Sequence, residues 1–300
     1  VVREGDLVLL ASAEAKGAEL SLLVPGDADL HEDEASLRLG RAVAGQGVLV
    51  EGPVEARARL VAAHRGLLRI DSKILALANG VGCVSIYTLF GGQAVEAGEV
   101  VAEAKVTPLL VPGEDVERIE ALAAPPPVSV VPFRPMVAAA LIRERHKPEQ
   151  ARRVAHALSE KLEWFGSALG TVRYIAREAP AQAVGEAMRE LLAGADMLFA
   201  AGGSAINPAD PLINALAFVP ARLERMGVPT HPGSLLWLAH ADDGDLPILG
   251  VPSCGMFSRA TALDILLPYL LTGASVTTQT LAEMGHGGLL RRGDWRLERG

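Results

Sequence analysis

Apolar residues follow two different rhythms on either side of Pro125, Pro126 and Pro127. Before these prolines, short apolar runs at 7–12, 20–24, 66–70, 84–90 and 99–106 are separated by Gly and Asp, and they predict strands. Two segments depart from that pattern and predict helices. Residues 31–45 open on Glu32, Asp33 and Glu34, which suit the positive end of a helix, and carry a glycine near the end. Residues 71–80 place Asp71 as N-cap and Gly80 just past the last turn. After the prolines, strand-like runs at 128–133, 170–179, 196–201, 234–240 and 246–251 alternate with helical segments at 148–166, 180–194 and 257–271. The stretch 211–227 also has helical character, interrupted by Pro220.

Such alternation predicts an α/β unit of three layers, a mostly parallel sheet with helices on both faces. The first half predicts a smaller α+β unit. Three successive prolines cannot continue a helix or a central strand, so the expected boundary divides the chain into 1–124 and 125–300.

Length and composition support two cores rather than one. The chain has 300 residues, of which 50% are hydrophobic and 21% charged. The net charge of −8 argues against a general binder of nucleic acid backbones. The two cysteines, Cys83 and Cys254, form no closely spaced pair, which fits a reducing compartment rather than a disulfide scaffold or zinc site. No apolar run is long enough to span a bilayer, and residues 1–6 lack a signal core, so the expectation is a cytoplasmic protein with no membrane partner.

The chemistry concentrates in "AAGGSAINPADP", residues 200–211, which follows a predicted strand. Ligands of open α/β sheets bind at the carboxyl ends of strands. Gly202 and Gly203 permit a tight turn and close backbone approach, while Ser204 and Asn207 add hydrogen-bonding groups. Unpaired N–H groups of a following helix would complete an anion site. Asp210 beside Pro211 fits an N-cap as well as a chemical role. The loop matches neither nucleotide-binding glycine motif. Two further loops, "THPGSL" at 230–235 and "GVPSCGMFS" at 250–258, share its Pro, Gly and small polar character. Among the histidines, His31, His64, His146 and His156 are expected at the surface or at helix ends, and His231 in the ligand site. His286 is expected to cap the last element or close over the pocket. Arg143, Arg145 and Lys147 form a basic cluster expected to be a solvated face, with a phosphate contact as the alternative.

Together the three loops resemble the molybdopterin-binding fold of molybdopterin adenylyltransferases, molybdotransferases and gephyrin. Gly202, Gly203 and Asp210 match the family's glycine turn and following acid, His231-Pro232-Gly233 its Pro-Gly turn, and Gly250-Val251-Pro252 its last turn. The chain departs from the pattern at Ala201, Pro208, His231, Ser253 and Gly255. The first half, from the acidic start at Glu32 through Arg59, Gly66 and the Lys105 strand, resembles the leading domain of bacterial molybdopterin-binding proteins.

The resemblance implies binding of molybdopterin or a related cofactor form, in biosynthesis, delivery or sensing. The implied site comprises Gly202, Gly203, Ser204, Asn207, His231, Pro232, Gly233, Ser234, Pro252, Ser253 and Ser258. Asp210 is the implied catalytic residue and, with the ligand's phosphate, the implied holder of Mg. The alternative is a Mg-dependent adenylyl- or molybdotransferase. A homo-oligomer and a molybdoenzyme or cofactor-synthesis partner are also implied. An Asp210→Asn substitution is expected to leave stability nearly intact.

Overall fold

The computed structural model describes residues 11–12, 23–144, 148–203, 205–207, 209–242, 245–252 and 260–291. The elements run β1 (Asp29–His31), α1 (Glu32–Val43), β2 (Val48–Val54), β3 (Arg57–Ala62), β4 (Gly66–Ile70), α2 (Ser72–Asn79), β5 (Val84–Thr88), β6 (Ala94–Val95), β7 (Val100–Val106), β8 (Leu110–Pro112) and α3 (Gly113–Leu122). They continue as β9 (Val128–Pro132), β10 (Val137–Glu144), α4 (Pro148–Glu163), β11 (Ala168–Ala176), α5 (Ala181–Leu192), β12 (Met197–Ala201) and α6 (Pro211–Asn214). A 3-10 turn at Ala215–Phe218 leads to β13 (Ala221–Met226), β14 (Trp237–Ala241), β15 (Pro247–Val251), α7 (Ala262–Leu271) and α8 (Thr278–Glu283).

Local chemistry explains where the early helices begin. The His31 ring accepts the Asp33 N–H ahead of an acidic first turn in α1. Asp71 accepts from the Lys73 and Ile74 N–H groups and starts α2. In this half, α1 packs its buried Leu39 and Val43 with Leu60, Val101 and Ile119. The antiparallel order β2-β3-β7-β5 forms one sheet and β6-β4-β9 another.

β9 was expected to open the second half. Instead it pairs along its length with β4, and Val128 and Val130 are fully buried in the first core. The prolines therefore lie inside this half of the molecule, ahead of its last strand.

The second half is α/β, as expected. Its six-stranded sheet has the order β11-β10-β12-β15-β14-β13. β11, β10, β12 and β15 are mutually parallel, while β14 and β13 are antiparallel. One core lies between the sheet and α4 and α7, with Leu158, Leu162, Phe199 and Leu266 buried. Another lies on the opposite side, where α5 contributes Val184 and Met188 against Leu141 and Leu198. This is the three-layer arrangement.

Three expectations need correction. Residues 211–227 do not continue as helix: α6 and its 3-10 turn stop before Pro220, and β13 follows as an edge strand. Proline removes an N–H and disfavours helical geometry in the residue before it. The strand expected at 20–24 is absent at its described residues 23–24, and 11–12, from the run expected at 7–12, are helical; the rest of both runs lies outside the described residues. Finally, β10, an interior strand between β11 and β12, was not anticipated.

Candidate functional site

All five residues of β12 are buried, and the strand ends at Ala201. The chain then turns through Gly202 at φ +93. A Cβ there would lie 2.1 Å from the Arg143 carbonyl oxygen, so the turn crosses the end of β10 only because this residue is glycine. At Gly203 a Cβ would meet Leu212 Cδ1 at 2.8 Å and Asp210 Oδ1 at 3.0 Å. A side chain at this position points into the protein rather than toward an incoming ligand.

Asp210 is the N-cap of α6, with Pro211 in the first turn. Its Oδ1 accepts the Leu212 N–H at 2.9 Å, and the residue is 3% exposed. Asn207 holds the same turn from the other side: its Oδ1 accepts the Ala209 N–H at 3.1 Å, and its carbonyl accepts the Asp210 N–H at 3.0 Å. α6 is only four residues long. The macrodipole expected behind the turn is correspondingly small.

The charge at this site comes from Arg143, near the carboxyl end of β10. Its side chain is 10% exposed, and Nη1 lies 4.0 Å from Asp210 Oδ2. Nη2 donates to the Arg177 carbonyl. Nε is buried and finds no acceptor among the described residues. Burial pushes the guanidinium pKa down, and Asp210 draws it partly back. The expectation of a solvated face is therefore wrong for Arg143. Arg145 and Lys147 lie outside the described residues.

The second loop is held through its backbone. The His231 N–H donates to the Gly288 carbonyl at 2.7 Å, and its own carbonyl accepts from Leu290 at 2.8 Å, leaving the side chain exposed. The Pro232 carbonyl accepts the Ala262 N–H at 2.8 Å. Gly233, at φ +108, has no room for a side chain, since its Cβ would lie 2.8 Å from the Ala262 nitrogen. Ser234 is exposed, and its carbonyl accepts the Val228 N–H at 3.1 Å. Thr230, just before this turn, carries a second buried polar atom with no partner among the described residues, Oγ1.

Gly250, matched in the sequence to a turn, is a residue of β15. It faces Trp237 across the β14–β15 pair, and a Cβ on it would lie 1.9 Å from the indole. Pro252 follows and is buried.

Gly203, Ala205, Leu235 and Pro252 line one cavity of about 10 Å³ beside Trp237 and Gly250. The three loops thus meet at the carboxyl ends of β12 and β15, around room for about one water. His231, Ser234 and Asn207 do not line this cavity. Ser204, Pro208, Ser253, Cys254 and Ser258 lie outside the described residues. Among the described residues, no group of three or more His, Cys, Asp or Glu is placed to hold a metal ion. No described helix is long and apolar enough to cross a membrane.

Sequence reading gave Arg143 a phosphate contact only as the alternative to a solvated face, and named the loop that holds Thr230 without naming Thr230 itself. The signal for Arg143 was present: it closes the apolar run 137–142, and a basic residue at the carboxyl end of a strand faces the binding edge of such a sheet. Thr230 carried no comparable signal.

No protein-family model matches the chain, and no curated protein matches it. Among solved structures, the molybdopterin biosynthesis MoeA protein from Pyrococcus horikosii is similar over 89% of this chain and 79% of its own, with 14% sequence identity and a TM-score of 0.35.

Proposed function

We propose that the second half binds the phosphate end of a small molecule between the Gly202–Gly203 turn and Arg143, and that this ligand is molybdopterin or a related form of the molybdenum cofactor. The observation that carries the reading is the buried Arg143 Nε with no acceptor. An unmet charged donor costs the full desolvation of that group, and a ligand oxyanion at this edge would supply the acceptor. The two glycines contribute by letting the turn pack against the end of β10, which sets its backbone beside Arg143. The pterin identity rests on the sequence resemblance of residues 201–210 and 231–233.

Binding, in cofactor synthesis, delivery or sensing, is favoured over group transfer by the commitments of Asp210. That carboxylate caps a helix and faces Arg143 while almost fully buried. Magnesium needs carboxylate oxygens that can reach it together with waters and phosphate. A homo-oligomer and a cofactor-handling partner protein belong to the same proposal.

The test is expression in a host that makes molybdenum cofactor, followed by mass spectrometry of the small molecules released from the purified protein. A pterin phosphate should be released from the unmodified chain and be depleted from folded Arg143→Gln. A folded unmodified protein that carries no pterin and takes none up on incubation would overturn the reading.

A further inference from the structure

A second cleft lies away from the loops, between the two halves of the chain. Phe90 to Ala94, ahead of and entering β6, form one wall, and Trp164, Tyr269 and Glu283, from the end of α4, α7 and α8, form the other. It shares no lining residue with the cavity beside Gly203. Its volume is about 160 Å³. A cavity of roughly 150 Å³ admits a benzene ring.

Two polar groups reach this cleft with no hydrogen-bond partner among the described residues, although the Arg69 guanidinium lies over the Tyr269 ring at 5.8 Å. Gln93 lines it, is 8% exposed and makes no side-chain hydrogen bond there. The Tyr269 phenol is the other, and a Cβ on Gly92, at φ +87, would lie 2.4 Å from its oxygen. Glycine at 92 thus leaves the phenol its place. Burial pushes the Tyr269 phenol pKa up, which keeps it a proton donor across the neutral range.

Aromatic surface surrounds these two groups. Trp164 packs edge-on against Phe165, with centroids 4.8 Å apart, and Phe90 lies 6.2 Å from the His286 ring. The charged lining residues are Asp264 and Glu283, and Asp264 is paired with Lys161. No lysine or arginine lines the cleft. Its charge therefore disfavours a phosphate or carboxylate and suits an uncharged ring. A glutamine amide presents a donor and an acceptor side by side, the complement of a ring N–H beside a ring carbonyl. Flat aromatic walls suit a planar ring.

We propose that this cleft is a binding site for an uncharged planar nitrogen heterocycle with a cyclic amide edge, read by the Gln93 amide and the Tyr269 hydroxyl. Nucleobases and simple pterins share that edge. The proposal does not rest on the anion site at Arg143.

The test is calorimetric titration of the full chain with guanosine and, separately, with 6-hydroxymethylpterin, neither of which carries phosphate. Saturable binding of either compound below about 1 mM is expected, and the one that binds identifies the source of the ring. Gln93→Met should weaken it at least about tenfold, and Tyr269→Phe about threefold or more, with unchanged circular dichroism. Inorganic phosphate should not compete. No binding of either compound, or unchanged affinity in folded Gln93→Met, would overturn the assignment. Should Gln93→Met fail to fold, unchanged affinity in Tyr269→Phe would do so. Competition by phosphate would also overturn it, because no lysine or arginine lines the cleft.

Discussion

Gly250→Ala is a perturbation whose sign is set by one contact. Within a strand, replacing glycine by alanine ordinarily stabilises by about 0.5–1 kcal/mol, since glycine loses more conformational freedom on folding. At position 250 the added Cβ would lie 1.9 Å from the Trp237 indole, which is 3% exposed and has beside it only a cavity of about 10 Å³ to move into. Overpacking of this kind costs about 1–3 kcal/mol, which outweighs the gain. The expected outcome is a fall in Tm of roughly 2–10 °C. Thermal unfolding followed by circular dichroism and tryptophan fluorescence reads it directly. The same substitution in a Trp237→Leu background should be neutral or stabilising, giving a coupling of about 1–3 kcal/mol between the two positions. A Gly250→Ala variant as stable as the parent, or equally destabilised in both backgrounds, would refute the indole contact as the cause. Since Trp237 and Gly250 both border the cavity where the three loops meet, such a result would also redraw that edge of the site.

Three other substitutions probe the neighbouring chemistry. Asp210→Asn keeps the cap acceptor but removes the charge facing buried Arg143, so the sequence expectation of near-intact stability is replaced by a loss of about 1–3 kcal/mol in denaturant unfolding. Gly203→Ala directs its Cβ at Asp210 and Leu212, and should destabilise the α6 cap by about 1 kcal/mol in the same assay; a ligand-binding defect with unchanged stability would contradict this geometry. Glu224 is held below the usual carboxylate range, first by the Thr278 hydroxyl and then by the Thr278 N–H and Arg222. Its stabilisation of α8 against β13 is complete above the ordinary value of 4.5 and is lost as pH falls through the lower folded value. The Tm difference between Glu224→Gln and the parent should therefore shrink on acidification from about pH 7 to about pH 3, and a pH-independent difference would contradict it.

The two rhythms of apolar residues made the class of the fold legible. The caps at His31 and Asp71 were legible too, because short-range hydrogen bonds need only neighbouring residues. Pairing between distant segments was not. Nothing local distinguishes β9 as a partner of β4 from a first strand of the following sheet; that choice is made by burial of Val128 and Val130 in the first core. β13 was hidden because Arg222 and Glu224 lie in a short edge strand with weak alternation, next to a segment of good helix formers. At the site, Gly202 carried a readable signal, since its positive φ and close approach need glycine. Gly250 carried the same letter for a different reason, making room for an indole on the next strand. Arg143 looked like a surface charge until β10 placed it under the turn.

Arg143 is proposed to complete an anion site at the Gly202–Gly203 turn. The most direct test is calorimetric titration of purified molybdopterin into the unmodified chain and into Arg143→Met. Loss of a charge-assisted hydrogen bond should weaken binding by roughly 10- to 100-fold. The variant should keep its native circular dichroism. Equal affinity in the folded variant, or no binding to either protein, would contradict the claim.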